Sequence, residues 1–305
     1  VLGLYGDLAN SDVYLAYSNL AHRLNWGVSI FQFRNDLLLF SSAEADSVES
    51  QIYRGVGLMF ARPFSRFRRV EFGVEAAGID ERVLEYNYEL SSVTEAARKG
   101  TFYYVAPSVG LVADDAIFGS TGPINGGRSR YTVEQALGDV QYTTLVMDWR
   151  RYTNLRQRYA IGQRFIAGTS IGRDPRYFRV GGPFTYRGAD YGDLSFRGTR
   201  ALVGNLEFRF PLIEQLRLGW PGRITLGGIN GVAFVDAATV WTGGPGPRFF
   251  STDGGLHTQD LRLALGLGAR MNLGYFIIRY DFGQQTNLQK NTSSGHHFLS
   301  FGADF

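Results

Sequence analysis

Between residues 202 and 210 the chain alternates without a break. Leu202, Gly204, Leu206, Phe208 and Phe210 fall on one face, and Val203, Asn205, Glu207 and Arg209 on the other. A period of two sends successive side chains to opposite faces of a strand. The pattern recurs downstream. Leu261, Leu263, Leu265 and Leu267 oppose Arg262, Ala264, Gly266, Gly268 and Arg270, while Phe276, Ile278, Tyr280 and Phe282 oppose Arg279 and Asp281. In residues 296–305, Leu299, Phe301, Ala303 and Phe305 oppose Ser300, Gly302 and Asp304. The same rhythm, less regular, marks residues 1–7, 12–20, 25–35, 51–61, 69–78, 83–90, 101–114, 130–136, 140–152, 158–170 and 223–241. No segment carries a convincing 3.6-residue period. The pattern therefore predicts fifteen strands.

Their connections alternate between tight turns, such as residues 79–82, and longer polar loops, such as 36–50, 91–100 and 116–129. The longest, 172–198, is rich in glycine, aromatics and charge. A soluble sheet seldom points large apolar side chains outward opposite a charged face without covering them, and a β-propeller would not do so on nearly every strand. A transmembrane barrel does, because lipid lies outside and a polar lumen inside. The predicted fold is all-β: an antiparallel transmembrane β-barrel of about 16 strands. Residues 1–305 form one barrel domain, and the odd count places one strand, with any upstream periplasmic domain, before Val1. In this assignment Phe208, the four leucines 261–267, Phe276, Ile278, Leu299 and Phe301 face lipid. Glu207, Arg262, Arg270, Arg279 and Asp281 face the lumen.

Composition narrows the picture only a little. The 39 glycines, 17 tyrosines and 23 phenylalanines suit strands bounded by aromatic girdles, and 9 prolines are few enough for long strands. The apolar runs are far shorter than a spanning helix, so entry into a bilayer requires a closed barrel. Zero cysteines exclude a disulfide framework and thiolate metal sites. A net charge of +3, spread along the chain, provides no platform for nucleic acid.

Candidate catalytic chemistry is sparse. The glycine-rich run 227–231 lacks the following Lys and helix of a phosphate loop. His296 and His297 are neighbours on a strand and point to opposite faces, which disfavours a shared metal. His22 has no nucleophile motif beside it. The chain is expected to be no enzyme and to hold neither cofactor nor metal.

One set of residues does stand out. Gly181, Gly182, Tyr186, Arg187 and Gly188 lie in the long loop; the strand after it ends Glu207-Phe208-Arg209-Phe210-Pro211. Then come GVAFVDAATVW (231–241) with Asp236, a Gly-Leu-Gly strand (266–268), an amphipathic penultimate strand and a terminal Phe305. In motif and order this resembles the C-terminal barrel of the bacterial surface antigen superfamily, the group of BamA, TamA and the two-partner-secretion transporters. The resemblance is specific over residues 106–305 and rests on strand rhythm before that. It implies the bacterial outer membrane and a lumenal loop clasp of Tyr186, Arg187 and Gly188 against Glu207 and Asp236. It further implies a C-terminal signal at Phe305. The implied partners are the lipid bilayer, outer-membrane or secreted-protein clients, and periplasmic domains. The implied function is insertion or translocation of proteins; the alternative is a passive or plugged barrel anchoring an upstream periplasmic domain. Two departures stand out. Ala189 sits where the family motif carries an aromatic, which Tyr191 is expected to supply, and the family's transporters carry POTRA domains that these 305 residues do not contain.

Overall fold

The computed structural model describes residues 2–5, 7–41, 45–87, 89, 92–156, 158–219, 224–226 and 228–302, with side chains described for all but 2–10, 37–41, 216–218 and 224–226. Among them fourteen strands follow one another along the main sheet: β1 (Leu2–Tyr5), β2 (Asp7–Asn19), β3 (Asn25–Ser41), β4 (Ala45–Pro63), β5 (Arg68–Asn87), β6 (Ser92–Asp114), β7 (Gly122–Gly138), β8 (Tyr142–Leu155), β9 (Tyr159–Gly172), β10 (Arg200–Ile213), β11 (Ile229–Trp241), β12 (Arg262–Asn272), β13 (Ile277–Thr286) and β14 (His296–Phe301). The only helical segment among the described residues is the 3-10 turn Leu194–Phe196.

Several expected loops are strand. Residues 79–82 do not turn; Ile79, Asp80, Glu81 and Arg82 pair with Tyr53, Ile52, Gln51 and Ser50 in an unbroken β4–β5 register, so two predicted strands are one. Charge at Asp80, Glu81 and Arg82 looked like a turn, but Arg82 and Arg98 both ion-pair with Asp80 along the strand surface. Residues 91–100 belong largely to β6, and most of 36–50 to β3 and β4. Residues 223–241 are not one strand, since Ile224–Leu226 turns back on Leu216–Leu218 before β11 begins.

The chain divides into two compact units. The first holds Val1–Gly110 with Val133–Thr143 and Gly172–Asp174. In it β1 to β6 follow one another as antiparallel neighbours. Its strands β4, β5 and β6 run to 19, 20 and 23 residues, about twice what crosses a bilayer. A small apolar cluster of Phe31, Ala77, Ile79, Tyr104, Ala106, Ala136 and Tyr142 packs its buried face.

The second unit holds Leu111–Thr132, Thr144–Ile171 and Pro175–Phe305. Here β9, β10, β11, β12, β13 and β14 pair in order, all antiparallel. The registers put Glu207 opposite Phe234, Asp236 opposite Ala264, and Arg270 opposite Arg279. Because each strand alternates, one face of this sheet collects Glu207, Asp236, Arg270, Arg279 and Asp281, all buried. The other presents Phe208, Leu265, Leu267, Phe276, Leu299 and Phe301 exposed, with Leu267 63% and Leu299 68% accessible. Leu261, Leu263 and Ile278 are only half-buried. Arg262 shares the parity of Arg270, yet its side chain is exposed, because it is the first residue of β12.

Candidate functional site

The buried charges need a partner, and the long loop supplies it. Beyond β9 the chain forms a narrow ribbon in which Phe178–Arg179 pairs with Arg197–Gly198. The 3-10 turn at Leu194–Phe196 is capped by Asp193, whose Oδ1 accepts from the Ser195 amide at 2.9 Å. The ribbon's tip closes where the Gly182 amide donates to the Ala189 carbonyl at 2.7 Å. Gly182 has φ +79°, a region only glycine enters freely. A Cβ at Gly181 would lie 2.5 Å from the Asp190 carbonyl oxygen. These glycines let the tip turn tightly enough to present residues 184–188 to the sheet.

Arg187 is 1% exposed and grips three strands at once. Its Nε and Nη2 donate to the two Asp236 oxygens, each at 2.8 Å, and its own backbone amide adds a third bond to Asp236 Oδ2 at 3.0 Å. Nη1 donates to Glu207 Oε1 at 2.5 Å and lies 3.5 Å from Asp281 Oδ1. The guanidinium carbon sits 3.5 Å from the centroid of the Phe234 ring. This is the two-pronged geometry that a planar guanidinium makes with a carboxylate and a lysine does not. Burial alone would lower the pKa of Arg187, but Asp236 and Glu207 outweigh it and hold the group above its usual value. The cation is permanent.

The carboxylates are themselves held. Arg209 Nη2 lies 2.8 Å from Glu207 Oε2, and Arg270 Nη2 lies 2.7 Å from Asp281 Oδ1 and 3.7 Å from Glu207 Oε1. Asn205 Nδ2 donates to Asp236 Oδ1 at 2.8 Å and to the Thr185 carbonyl at 2.7 Å. Arg279 Nη2 stands 3.8 Å from Asp281 Oδ2, so four arginines (187, 209, 270, 279) surround three carboxylates (207, 236, 281). Further side chains grip the tip by its backbone. Arg164, held by Asp148 at 2.7 Å, donates to the Phe184 carbonyl at 2.6 Å, and Gln285 donates to the Gly188 carbonyl.

The approach leaves no slack. A Cβ on Gly283 would lie 2.1 Å from the Arg187 carbonyl oxygen, and one on Gly188 would meet the Tyr186 ring and Ala264 at 2.6 and 2.8 Å. Tyr186 is wholly buried, its ring 5.1 Å from that of Phe196, in a cluster with Val180, Ala189, Ala201, Val203, Ala238 and Ala264. Burial first, and Asp236 next, raise its phenol above the usual value. Tyr191 is 63% exposed and does not supply the motif's missing aromatic; Tyr186 and Phe196 fill the space beneath the tip.

The structure therefore brings Tyr186, Arg187, Gly188, Glu207 and Asp236 together, while Phe305 lies outside the described residues. His296 and His297 do part to opposite faces: Nδ1 of His296 is 3.5 Å from Asp190, and that of His297 is 2.8 Å from the Tyr280 hydroxyl. Of the run 227–231, residues 229–231 are strand and Gly227 is outside the described residues. Asn205, Phe234 and Asp148–Arg164 were missed as site residues; strand parity places Asn205 beside Glu207, but nothing sequential marks the backbone contacts.

Comparison with known proteins agrees with this arrangement of loop and strands. The Omp85 superfamily domain matches residues 12–305. The chain belongs to the Omp85 superfamily. It is accordingly an outer-membrane β-barrel protein of the bacterial type. Among solved structures it is similar in fold to BamA from Haemophilus ducreyi lacking POTRA domains 1–3, with TM-score 0.66 and 14% identity over 96% of this chain and 62% of that one. It is also similar to CdiB from Acinetobacter baumannii, with TM-score 0.54 and 14% identity over 96% of this chain and 50% of that one. The chain thus spans less than two thirds of either relative. No curated protein matches it significantly by sequence.

Proposed function

We propose that this Omp85 barrel assists the insertion or translocation of proteins at the bacterial outer membrane and performs no enzymatic chemistry. The observation that carries the reading is the Arg187 seat. A loop that only filled a pore would be held more stably by apolar packing, since a buried ion network commonly contributes no more than well-packed hydrophobic residues of the same volume. A buried cation on two carboxylates, tied to the backbone by side-chain donors, has a single registered closed position. It also has good solvation once water or another chain enters the lumen. That suits a loop whose position matters to the barrel's working state. The partners of this reading are the bilayer, unfolded outer-membrane or secreted clients, and periplasmic domains upstream of the barrel.

The test is reconstitution of the protein, with whatever precedes this barrel, into liposomes with an unfolded outer-membrane barrel as client. The rate at which the client becomes heat-modifiable and protease-resistant is followed. Acceleration over empty liposomes that falls with Arg187→Ala supports the reading. Equal rates with and without the protein would leave it as a membrane anchor for a periplasmic domain.

A further inference from the structure

Below the clasp, at the short-turn end of the strands, residues 115–127 form a hairpin where the sequence predicts a glycine-rich loop over 116–129. Ile117–Gly119 pairs back on the start of β7, with Phe118 opposite Pro123 and Gly119 opposite Gly122. The Asp115 amide donates to the Gly127 carbonyl at 2.9 Å, and Asp115 Oδ1 accepts from the Gly127 amide at 2.6 Å. Gly126, at φ +86°, allows the closure, for a Cβ there would lie 2.2 Å from the Asp115 carbonyl oxygen. The hairpin is thus a built element. It does not pack by apolar burial: Ile117 and Phe118 at its tip are exposed.

Side-chain donors from three distant strands hold it instead. Asn230 of β11 donates to the Thr121 hydroxyl, Asn272 of β12 to the Ser120 carbonyl, and Arg209 of β10 to the Pro123 carbonyl at 2.8 Å. Pro123 is fully buried by this seating. Arg209 is the shared member. While Nη1 holds the hairpin, Nε and Nη2 hold Glu207 Oε2 at 2.9 and 2.8 Å, and Glu207 Oε1 holds Arg187. The guanidinium lies 5.6 Å from the Tyr152 ring centroid, so its plane is backed on one side.

We propose that Arg209 is a positioning residue that couples the loop clasp to this hairpin, so that release of Arg187 unseats residues 115–127. The inference rests on the clasp being a working element of the barrel, as in the function proposed above. The physical step is a competition for one fork. When Arg187 leaves, Glu207 Oε1 loses its 2.5 Å ligand, and Arg270 stands 3.7 Å away. Arg209 then turns its Nη1–Nη2 edge onto both oxygens of the freed carboxylate, because a charged acceptor outcompetes a neutral carbonyl for the Nη1 donor. Nη1 withdraws from Pro123, and the hairpin keeps only its two amide ties. Removal of the hairpin leaves no orphaned charge, which makes it a detachable cover.

The chain has no cysteine, so a single Pro123→Cys reports on seating while keeping the main-chain acceptor. The protein in detergent micelles is treated with a water-soluble maleimide and the labelling rate measured, with heat modifiability confirming that each variant is folded. In the Pro123→Cys background labelling is expected to be slow, and severalfold faster with Arg187→Ala or the milder Arg187→Lys. With Arg209→Met it is expected to be fast whether or not Arg187 is present. Arg209→Lys cannot hold two acceptors as a fork and is expected to lose the dependence too. A control Gly246→Cys in the opposite loop is expected to label equally throughout. Labelling that ignores Arg187, or that responds to it as strongly when Arg209 is methionine, overturns the proposal. The assay needs no client, so its failure and a failure of client insertion are separate results.

Discussion

Replacing Arg187 by alanine tests the site most directly, because its two carboxylates do not lose equally. Glu207 keeps Arg209 at 2.8 Å and Arg270 at 3.7 Å. Asp236, wholly buried, keeps Asn205 at 2.8 Å and the residue-187 backbone amide at 3.0 Å, but no cation among the described residues. The variant therefore strands one buried carboxylate, and removing one partner of a buried pair typically costs about 3–5 kcal/mol. Asp236→Asn removes the charge instead, and Arg187 retains Glu207 at 2.5 Å and Asp281 at 3.5 Å. Its cost is expected to be smaller, roughly 1–3 kcal/mol for imperfect hydrogen bonding. Asp236→Arg sets two cations together and is expected to be the worst of the three. The double variant Arg187→Ala with Asp236→Asn should cost less than the sum of the singles, since the stranded charge is gone. The assay is urea unfolding in detergent micelles with linear extrapolation, read by tryptophan fluorescence. A loss below about 1 kcal/mol for Arg187→Ala would place the pair with exposed ion pairs and refute the reasoning.

Other consequences are as concrete. Gly283→Ala adds a methyl where the Arg187 carbonyl oxygen would stand 2.1 Å away, and both atoms belong to fixed backbone. The loop tip must move, so tryptic cleavage at Arg179 and Arg197 should quicken relative to wild type. Leu267→Arg, on the exposed face, should lower stability by about 2–4 kcal/mol if it stands at mid-depth in lipid, measured by unfolding from vesicles. Tyr186→Phe should be nearly neutral, since its hydroxyl has no hydrogen-bond partner among the described residues while its ring carries the packing. Its raised pKa fixes the sign of an alkaline effect: a contribution present below the unfolded value of about 10 is lost as pH climbs toward the folded one. Spectrophotometric titration near the ordinary tyrosine range should show no phenolate from Tyr186 while the barrel stays folded, so Tyr186→Phe should leave the amplitude unchanged.

Alternation made the second unit readable. In β10 to β14 a register slip by one residue would carry Glu207, Arg270 and Asp281 to the lipid side, so the period of two fixes every face together. The same rule failed at residues 79–82 and 91–100. There the long strands of the first unit run past what a bilayer needs, so both faces can be polar and the lipid-set alternation lapses. Arg187, Glu207 and Asp236 were legible because charged residues at lumenal parity need partners. Arg164 on Phe184, Gln285 on Gly188 and Arg209 on Pro123 were not, since their acceptors are main-chain carbonyls that any residue provides.

That difference in acceptors bears on how the site works. The clasp is specific through Arg187 alone; the remaining grips on the tip, and on the hairpin below, use carbonyls almost throughout. A network of four arginines and three carboxylates carries one excess positive charge, so it cannot satisfy every cation by carboxylate alone. Carbonyls at Pro123, Ala269 and Tyr280 take up remaining donors, the last two at 3.1 and 3.2 Å from Arg270. Such neutral acceptors yield first when a carboxylate is freed. The excess of cations over anions is therefore what makes the surrounding segments responsive to the clasp: adding one acid, by Ser300→Asp on the buried face directly opposite Arg279, should balance the network and reduce the hairpin's dependence on Arg187. Equal maleimide reactivity of Pro123→Cys in the presence and absence of Arg187→Ala is the expected result in that background, and an undiminished difference would show that the charge imbalance plays no part.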